Sequence, residues 1–239
     1  MPVLRSALAA AAAAATLAPG AARAQLLGLP AAQSPFAGRP FAVALDGGSA
    51  AEGVRVVGLA VAAHRPGPGR RLVATLGAGR ARATMFDAAR TTYAGRLAFM
   101  LRFGETGTIG VAPFVGFGRV QGGDSTSVIK NGDLRLGGAL TVVPAGAGLG
   151  YRRLVAGRPV AVHVTPQAQY WRRGAALGRS GSNTWYGRGA VGADVAVTSQ
   201  IGLSVAYEAG GAGGTVLDGP PANALGVALS YAPARRAPR

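Results

Sequence analysis

The sequence predicts an all-β fold, an up-and-down antiparallel β-barrel. Three observations predict it. Apolar residues alternate with small or polar residues along most of the chain, short and long connections alternate between these stretches, and the face opposite the apolar residues consists mainly of Gly, Ala and Ser. Gly accounts for 39 of the 239 residues, about twice its average usage. Charged residues make up only 14 %, against roughly 25 % in ordinary soluble domains.

The first 24 residues have the three parts of a secretory signal peptide. Arg5 supplies a positive charge, residues 7–18 form an apolar run, and Ala22 and Ala24 provide the small residues that signal peptidase requires. The apolar run is shorter than the roughly 20 residues of a spanning helix. We therefore expect cleavage after residue 24 and export through the general secretory pathway.

Period-two alternation predicts nine clear strands in the mature chain. They begin near residues 54, 71, 92, 107, 140, 158, 184, 199 and 222. Because the turn at 66–69 is short, we expect it on the periplasmic side. The strand that begins near residue 54 then runs toward the periplasm, and it needs a preceding strand that runs away from the periplasm. Residues 41–45, followed by Asp46-Gly47-Gly48 as a loop, are the candidate. The prediction is ten strands with both termini in the periplasm, and eight strands is the alternative, because bacterial single-chain barrels have even numbers.

The two faces of the strands predict a transmembrane barrel. A water-exposed outer face would carry many Lys, Glu and Thr, whereas small residues fit the inside of a narrow barrel and glycines let strands curve. The bulky face is therefore expected to contact lipid. No stretch after residue 24 is apolar enough for a spanning helix, so membrane crossing requires a closed barrel. Aromatic residues near strand ends predict interfacial girdles: Tyr93, Tyr151, Tyr170, Trp171, Trp185, Tyr186, Tyr207 and Tyr231.

These patterns divide the chain into four parts. They are a signal peptide at 1–24, an N-terminal periplasmic segment at 25–39, the barrel at 40–232 and a C-terminal tail at 233–239.

The last strand and one glycine-rich strand resemble those of a known family. Leu225, Val227, Leu229 and Tyr231 alternate up to a final aromatic, and residues 147–151 read Ala-Gly-Leu-Gly-Tyr. Over residues 40–231 the chain resembles the small bacterial outer-membrane β-barrels, which include opacity-type proteins. The resemblance implies the outer membrane of a Gram-negative bacterium, and assembly by the barrel-assembly machinery with those four residues as the signal. Family members usually end on the aromatic, whereas here residues 232–239 follow it.

Polar residues on the small-residue face are candidates for the lumen. A buried charge must be paired or hydrated, and Arg188 is expected to pair with Asp194 or Glu208. If arginines exceed carboxylates, a water-filled lumen would favour anions, although ten strands leave little bore. The candidates are Arg96, Arg102, His163, Gln167, Gln169, Arg188, Asp194 and Glu208.

A second set of arginines lies near the predicted outer rim. Guanidinium groups pair with phosphate in a bidentate manner, so we expect contacts with lipid phosphates, including those of lipopolysaccharide. The alternative is arginines that snorkel or are solvated. The set comprises Arg80, Arg82, Arg119, Arg172 and Arg173, and Arg90 is also expected at this height.

Three functional readings remain open. The first is a non-catalytic outer-membrane barrel with a structural, surface-interaction or narrow, porin-like role in the cell envelope. The second is a lipid-modifying enzyme, because His163-Val164-Thr165 loosely echoes the His-x-Ser pair of lipid A deacylases, with Asp194 or Glu208 as the carboxylate. The third is a secreted soluble barrel that binds an apolar ligand, with a closed core containing Leu97, Phe99, Leu203 and Leu229.

Composition excludes several other classes. The chain has no Cys and only two His, so thiolate and His-rich metal sites are excluded. The glycines at 146, 148 and 150 alternate within a strand and precede no helix, so they do not form a nucleotide loop. The net charge of +16 accompanies an export signal and scattered arginines, which favours anionic lipid over nucleic acid as a partner. No cofactor or metal is expected.

Overall fold

A computed structural model describes most of the chain after residue 40. The described residues are 41–50, 55–64, 70–82, 90–104, 108–122, 129–130, 133–134, 139–174, 183–211 and 223–232. The predicted signal peptide, the segment at 25–39 and the tail at 233–239 lie outside them.

The described residues form a closed barrel of ten antiparallel strands and a separate two-stranded hairpin, β6–β7. Around the barrel, β1 to β5 are followed by β8 to β12, and β12 pairs with β1 to close the cylinder. This confirms the ten-strand prediction over the alternative of eight. The strands are β1 (Phe41–Ala50), β2 (Arg55–His64), β3 (Arg70–Arg82), β4 (Arg90–Phe103), β5 (Ile109–Val120), β6 (Ile129–Lys130), β7 (Asp133–Leu134), β8 (Leu140–Val155), β9 (Arg158–Arg173), β10 (Asn183–Ala196), β11 (Ile201–Gly210) and β12 (Asn223–Tyr231).

The connections differ between the two ends of the barrel. At one end, which we call the short-turn end, strands are joined across 65–69, 104–108, 156–157 and 197–200. Val43 pairs with Tyr231 at this same end, so the first and last strands start and finish there. At the opposite, long-loop end the connections are 51–54, 83–89, 121–139, 174–182 and 211–222.

The predicted loop at Asp46-Gly47-Gly48 is wrong, because these residues belong to β1. Asp46 lies opposite Gly58 on β2 and Ala228 on β12. An Asp-Gly-Gly sequence is a local turn signal, but strands on both sides supply backbone partners for an extended chain here. The first connection at the long-loop end is consequently as short as those at the other end.

The tightest connection is the two-residue turn between β8 and β9. Both of its residues have positive φ, 49° at Ala156 and 75° at Gly157. Positive φ at both positions defines the turn whose twist matches that of the flanking antiparallel strands. This turn fixes the register of the two longest strands of the barrel.

Strand register separates the side chains into an outer and an inner face. Leu45 on β1 lies opposite Leu59 and Leu229, and all three are exposed on the outside. The adjacent Ala44 is buried and lies opposite Ala60 and Ser230 on the inside. The predicted alternation is therefore realised with the bulky residues outward.

The predicted aromatic girdle needs two corrections. Trp171 is buried and Tyr186 is half-buried, and each has the strand parity of the inner face. The reason is a shift of one residue, since Tyr170 and Trp185, their chain neighbours, occupy the outer face. Of the predicted girdle residues, the outward ones are Tyr93, Tyr170, Trp185 and Tyr207 toward the long-loop end, and Tyr151 and Tyr231 at the short-turn end.

Candidate functional site in the barrel interior and at its rim

All eight predicted lumen residues lie on the inner face of their strands. Each has the same parity as the buried residues of its own strand, such as Ala98 on β4 and Ala161 on β9. The residues come from four strands. Seven of them form three separate groups, namely a network around Glu208, a contact between His163 and Asp194, and the arginines of β4, and Gln167 belongs to none of these groups.

The first group lies toward the long-loop end and is centred on Glu208, which is only 4 % exposed. Arg188 Nε donates to Glu208 Oε1 at 2.5 Å, and Gln169 Nε2 donates to the same oxygen at 2.9 Å. Gln169 Oε1 in turn accepts from Trp171 Nε1 at 2.9 Å. Arg188 Nη1 also donates to the carbonyl oxygen of Gly211. Of the two carboxylates expected to pair with Arg188, Glu208 is the one that does.

This network joins three neighbouring strands, β9, β10 and β11. Glu208 lies one step diagonally from Arg188, because the direct partner of Arg188 on β11 is Gly210. The contact from Gln169 to Glu208 passes over β10 altogether. Charge-assisted hydrogen bonds such as these are shorter and stronger than neutral ones. The network therefore occupies the lumen with fixed side chains at this level.

The second group lies toward the short-turn end. Ser204 Oγ donates to Asp194 Oδ1 at 2.7 Å, and His163 Nδ1 lies 3.5 Å from Asp194 Oδ2. His163 is buried and its ring fills the space above Gly192, where a Cβ atom would lie 2.4 Å from Nε2. Within the described residues, neither ring nitrogen of His163 makes a hydrogen bond.

The third group contains the arginines of β4. The guanidinium carbon of Arg96 lies 3.6 Å from the centre of the Phe114 ring, a cation–π contact from β4 to the neighbouring β5. Arg102 lies nearer the short-turn end, within electrostatic range of Arg71 and Arg152. The predicted lumen residue Gln167 lies opposite Gly146 and Arg188.

Several inward residues were not predicted from the sequence. Arg71 and Arg152 share the inner face of β3 and β8, and Trp171 completes the Glu208 network. Each of them is an even number of residues away from the first buried residue of its strand. Assigning that residue to the inner face would therefore have identified them. They were missed because each lies close to a strand end, where alternation in the sequence is weak.

The predicted rim arginines divide between the two faces. Arg80, Arg119 and Arg172 are exposed on the outer face toward the long-loop end. Arg173 is half-buried and shares the inward parity of Trp171, so its assignment to the lipid-facing rim is corrected. Arg90 is also inward and buried. The side chain of Arg82 lies outside the described part of the chain.

Arg119 and Arg172 form one surface feature, which we call the basic rim. Thr141 on β8 lies between them, opposite Arg119 on β5 and Arg172 on β9. The two arginines are thus two strands apart, about 10 Å at ordinary strand spacing. Tyr170 and Trp185 lie beside them with ring centres 5.2 Å apart.

The geometry around His163 bears on the enzymatic alternative. Thr165 Oγ1 is buried and, in the described structure, has no hydrogen-bond partner, and neither has either nitrogen of His163. A hydroxyl nucleophile requires its base within hydrogen-bond reach. The nearby Ser204 hydroxyl donates to Asp194 rather than to the imidazole.

The described residues contain no helix that is long and apolar enough to cross a membrane. They also contain no group of three or more His, Asp or Glu that is positioned to hold a metal ion.

The strand pairing places the chain in the class of closed antiparallel β-barrels with ten strands. No protein-family model matches it and no curated protein matches it. Among solved structures it is similar to neisserial surface protein A, with 14 % sequence identity and a TM-score of 0.37 over 81 % of this chain and 97 % of that one. The specific resemblance to opacity-type proteins stays a prediction.

Proposed function

We propose that this protein is an integral β-barrel of a bacterial outer membrane, with a structural or surface-interaction role and no catalytic activity. The observation that carries the proposal is the outer surface of the barrel. Exposed large apolar side chains occur on all ten barrel strands, from Leu45 on β1 to Leu229 on β12.

Such a belt is incompatible with water as the surrounding solvent. Soluble monomers rarely expose a continuous apolar patch larger than a few hundred Å², whereas outer-membrane barrels carry an apolar band about 25 Å tall. The soluble-barrel alternative required Leu97, Phe99, Leu203 and Leu229 in a closed core. All four instead have outward parity, and Leu97 is 46 % exposed. Lipid is the environment that satisfies this surface.

The filled interior supports a structural role over that of a wide pore. Toward the short-turn end Val73, Met100 and Ala112 form a buried apolar cluster. Toward the long-loop end the Glu208 network joins side chains from three strands. Barrels of this size have just enough interior to be filled by side chains. Free diffusion of large solutes is therefore not expected.

The absence of catalytic activity is supported by the arrangement of His163 and Thr165. Neither has a hydrogen bond among the described residues, and both are buried on the lumen face. The acyl chains of membrane lipids contact the opposite, outer face. A lipid-modifying reaction would need a nucleophile, its base and the substrate in one place, whereas lipid chains on the outer face lie across the barrel wall from His163 and Thr165.

We infer that the basic rim binds the phosphate groups of outer-leaflet lipids, including lipopolysaccharide. Arg119 and Arg172 are exposed and point outward, and Arg172 lies two residues along β9 from Tyr170, whose ring is next to that of Trp185. Aromatic rings of this kind occupy the head-group level of a membrane. Guanidinium groups at that level are within reach of lipid phosphates, with which they pair in a bidentate manner.

The first test is cell fractionation with gel electrophoresis. The mature protein is expected in the outer-membrane fraction, and it should migrate faster unheated than after boiling, because a folded barrel stays compact in detergent. A boiled sample of the same fraction is the control. Recovery as a soluble periplasmic protein would overturn the proposal.

The second test concerns the basic rim. The variant R119E/R172E is expected to bind lipopolysaccharide vesicles several-fold more weakly, since both guanidinium–phosphate contacts are lost. The control is R153E, because Arg153 is also exposed and outward but lies at the short-turn end. Co-sedimentation of the refolded barrels measures binding. Equal losses for both variants would show a general charge effect and contradict the assignment of the rim.

A further inference from the structure

The guanidinium of Arg96 has an unusual environment in the middle of β4. Its Nε and Nη2 atoms are both buried, and among the described residues neither has a hydrogen-bond partner. These two nitrogens form one edge of the planar guanidinium. That edge presents two parallel N–H donors, the geometry that matches a carboxylate or a phosphate. We call it the Arg96 fork.

The two inner-face carboxylates whose side chains are described are already engaged elsewhere. Glu208 accepts from Arg188 and Gln169, and Asp194 accepts from Ser204 and contacts His163. The Phe114 ring under the guanidinium offsets part of its charge, but an aromatic face accepts nothing from the in-plane N–H donors. Burying a charge whose donors have no hydrogen-bond partner costs free energy. An anion bound at the fork would remove that cost.

The wider interior is also positive. The described inward side chains include arginines near both ends, with Arg71, Arg102 and Arg152 toward the short-turn end and Arg90 and Arg173 toward the long-loop end. Asp194 and Glu208 are the inward carboxylates whose side chains the structure describes. A cleft of one charge sign with low-dielectric walls raises the local concentration of oppositely charged solutes. This excess of arginines over carboxylates among the described side chains favours entry of anions toward the fork.

We propose that the Arg96 fork binds a small oxyanion inside the barrel, either inorganic phosphate or sulfate or a small carboxylate. Thr75 on β3 and Gly116 on β5 are its register partners, so the residue on one side is short and that on the other has no side chain. A ligand that reaches the fork must be small, because the Glu208 network and the cluster of Val73 and Met100 occupy the lumen. This inference does not depend on the membrane location of the barrel.

The test uses the full mature chain refolded in a zwitterionic detergent, with inorganic phosphate as the probe. Calorimetric titration and thermal unfolding are measured against chloride at equal ionic strength. Phosphate is expected to raise the unfolding temperature of the wild type more than chloride does. In R96Q the affinity for phosphate should fall about tenfold to a hundredfold, the range for hydrogen bonds to a charged group. Parallel titrations with sulfate and acetate then distinguish binding of inorganic oxyanions from binding of carboxylates.

Two variants make the result decisive. R96K keeps the charge but removes the fork, so it should lose most of the affinity and retain only the chloride-like response. R153Q, which removes an exposed outward arginine that lies outside the basic rim, should bind phosphate as the wild type does. If the wild type responds equally to phosphate and chloride, or if R96Q and R96K bind phosphate with wild-type affinity, the proposal is wrong. If R96Q fails to fold, the comparison of phosphate with chloride in the wild type still tests whether the barrel binds an oxyanion.

Discussion

At the scale of single residues, the barrel interior depends on pairs of side chains that only fit together across strands. His163 requires a glycine at 192, because a Cβ there would overlap its ring. Arg188 requires Glu208, since both are almost fully buried. The sequence predicts an acidic partner for Arg188 without choosing between Asp194 and Glu208, and it does not predict the need for glycine at 192, because the partners are 20 and 29 residues apart in the chain.

The Glu208 pair gives the first residue-scale prediction. E208Q should destabilise the folded barrel by about 3–5 kcal/mol, because it leaves the Arg188 charge buried without its carboxylate. Replacing both members, in R188M/E208L, should recover much of that loss, since an apolar pair carries no uncompensated charge. Equilibrium unfolding in guanidinium chloride measures both variants. If E208Q were as stable as the wild type, the ion pair would have no structural role.

At the scale of elements, β12 closes the barrel because it pairs with both β11 and β1. Leu229 lies opposite Leu203 on β11 and Leu45 on β1, all on the outer face. The strand thus both closes the barrel and carries the outward residues Leu225, Val227, Leu229 and Tyr231, which were predicted to be the assembly signal. The role of these four as a signal stays a prediction.

That role gives an element-scale prediction. Y231A is expected to lower the amount of folded protein in the outer membrane of cells severalfold, while the purified chain still refolds in detergent. The matched control is Y151A, because Tyr151 is also an exposed, outward aromatic at the short-turn end. Heat-modifiable migration of membrane fractions gives the folded amount. Similar losses for both variants would indicate an interfacial anchor instead of an assembly signal.

At the scale of the whole molecule, the surface is inverted relative to that of a soluble protein. Small residues line the inside and large apolar residues cover the outside. Every barrel strand has two hydrogen-bonded neighbours, so the closed sheet has no free edge. A closed sheet with an apolar outer face meets both demands that a lipid environment makes on a protein.

The depth of a residue within the belt gives the molecule-scale prediction. L97R should destabilise the barrel in lipid vesicles by about 2–4 kcal/mol, because Leu97 is outward and midway along β4. The control is I109R, because Ile109 is also outward but lies at the short-turn end of β5, where the cost should be about 0–1 kcal/mol. Unfolding in guanidinium chloride in the presence of vesicles compares them. Equal costs at the two positions would argue against a membrane belt.

Local sequence patterns were enough to predict which face of each strand is apolar, ten barrel strands with eight as the alternative, and the end at which both chain termini of the barrel lie. These follow from period-two alternation and connection length, which are local properties of a strand and its turns. The eight lumen candidates also follow, because parity along a strand assigns a residue to a face.

Only the tertiary structure decided what those residues contact. The Asp46-Gly47-Gly48 stretch became a strand because β2 and β12 flank it. Arg173 and Trp171 turned inward through a shift of a single residue in parity. Arg188 selected Glu208 over Asp194, and Arg96 was left with an open fork against Phe114. The physical reason is common to all of these: register and closure set which side chains meet across the barrel, and they are properties of the whole sheet.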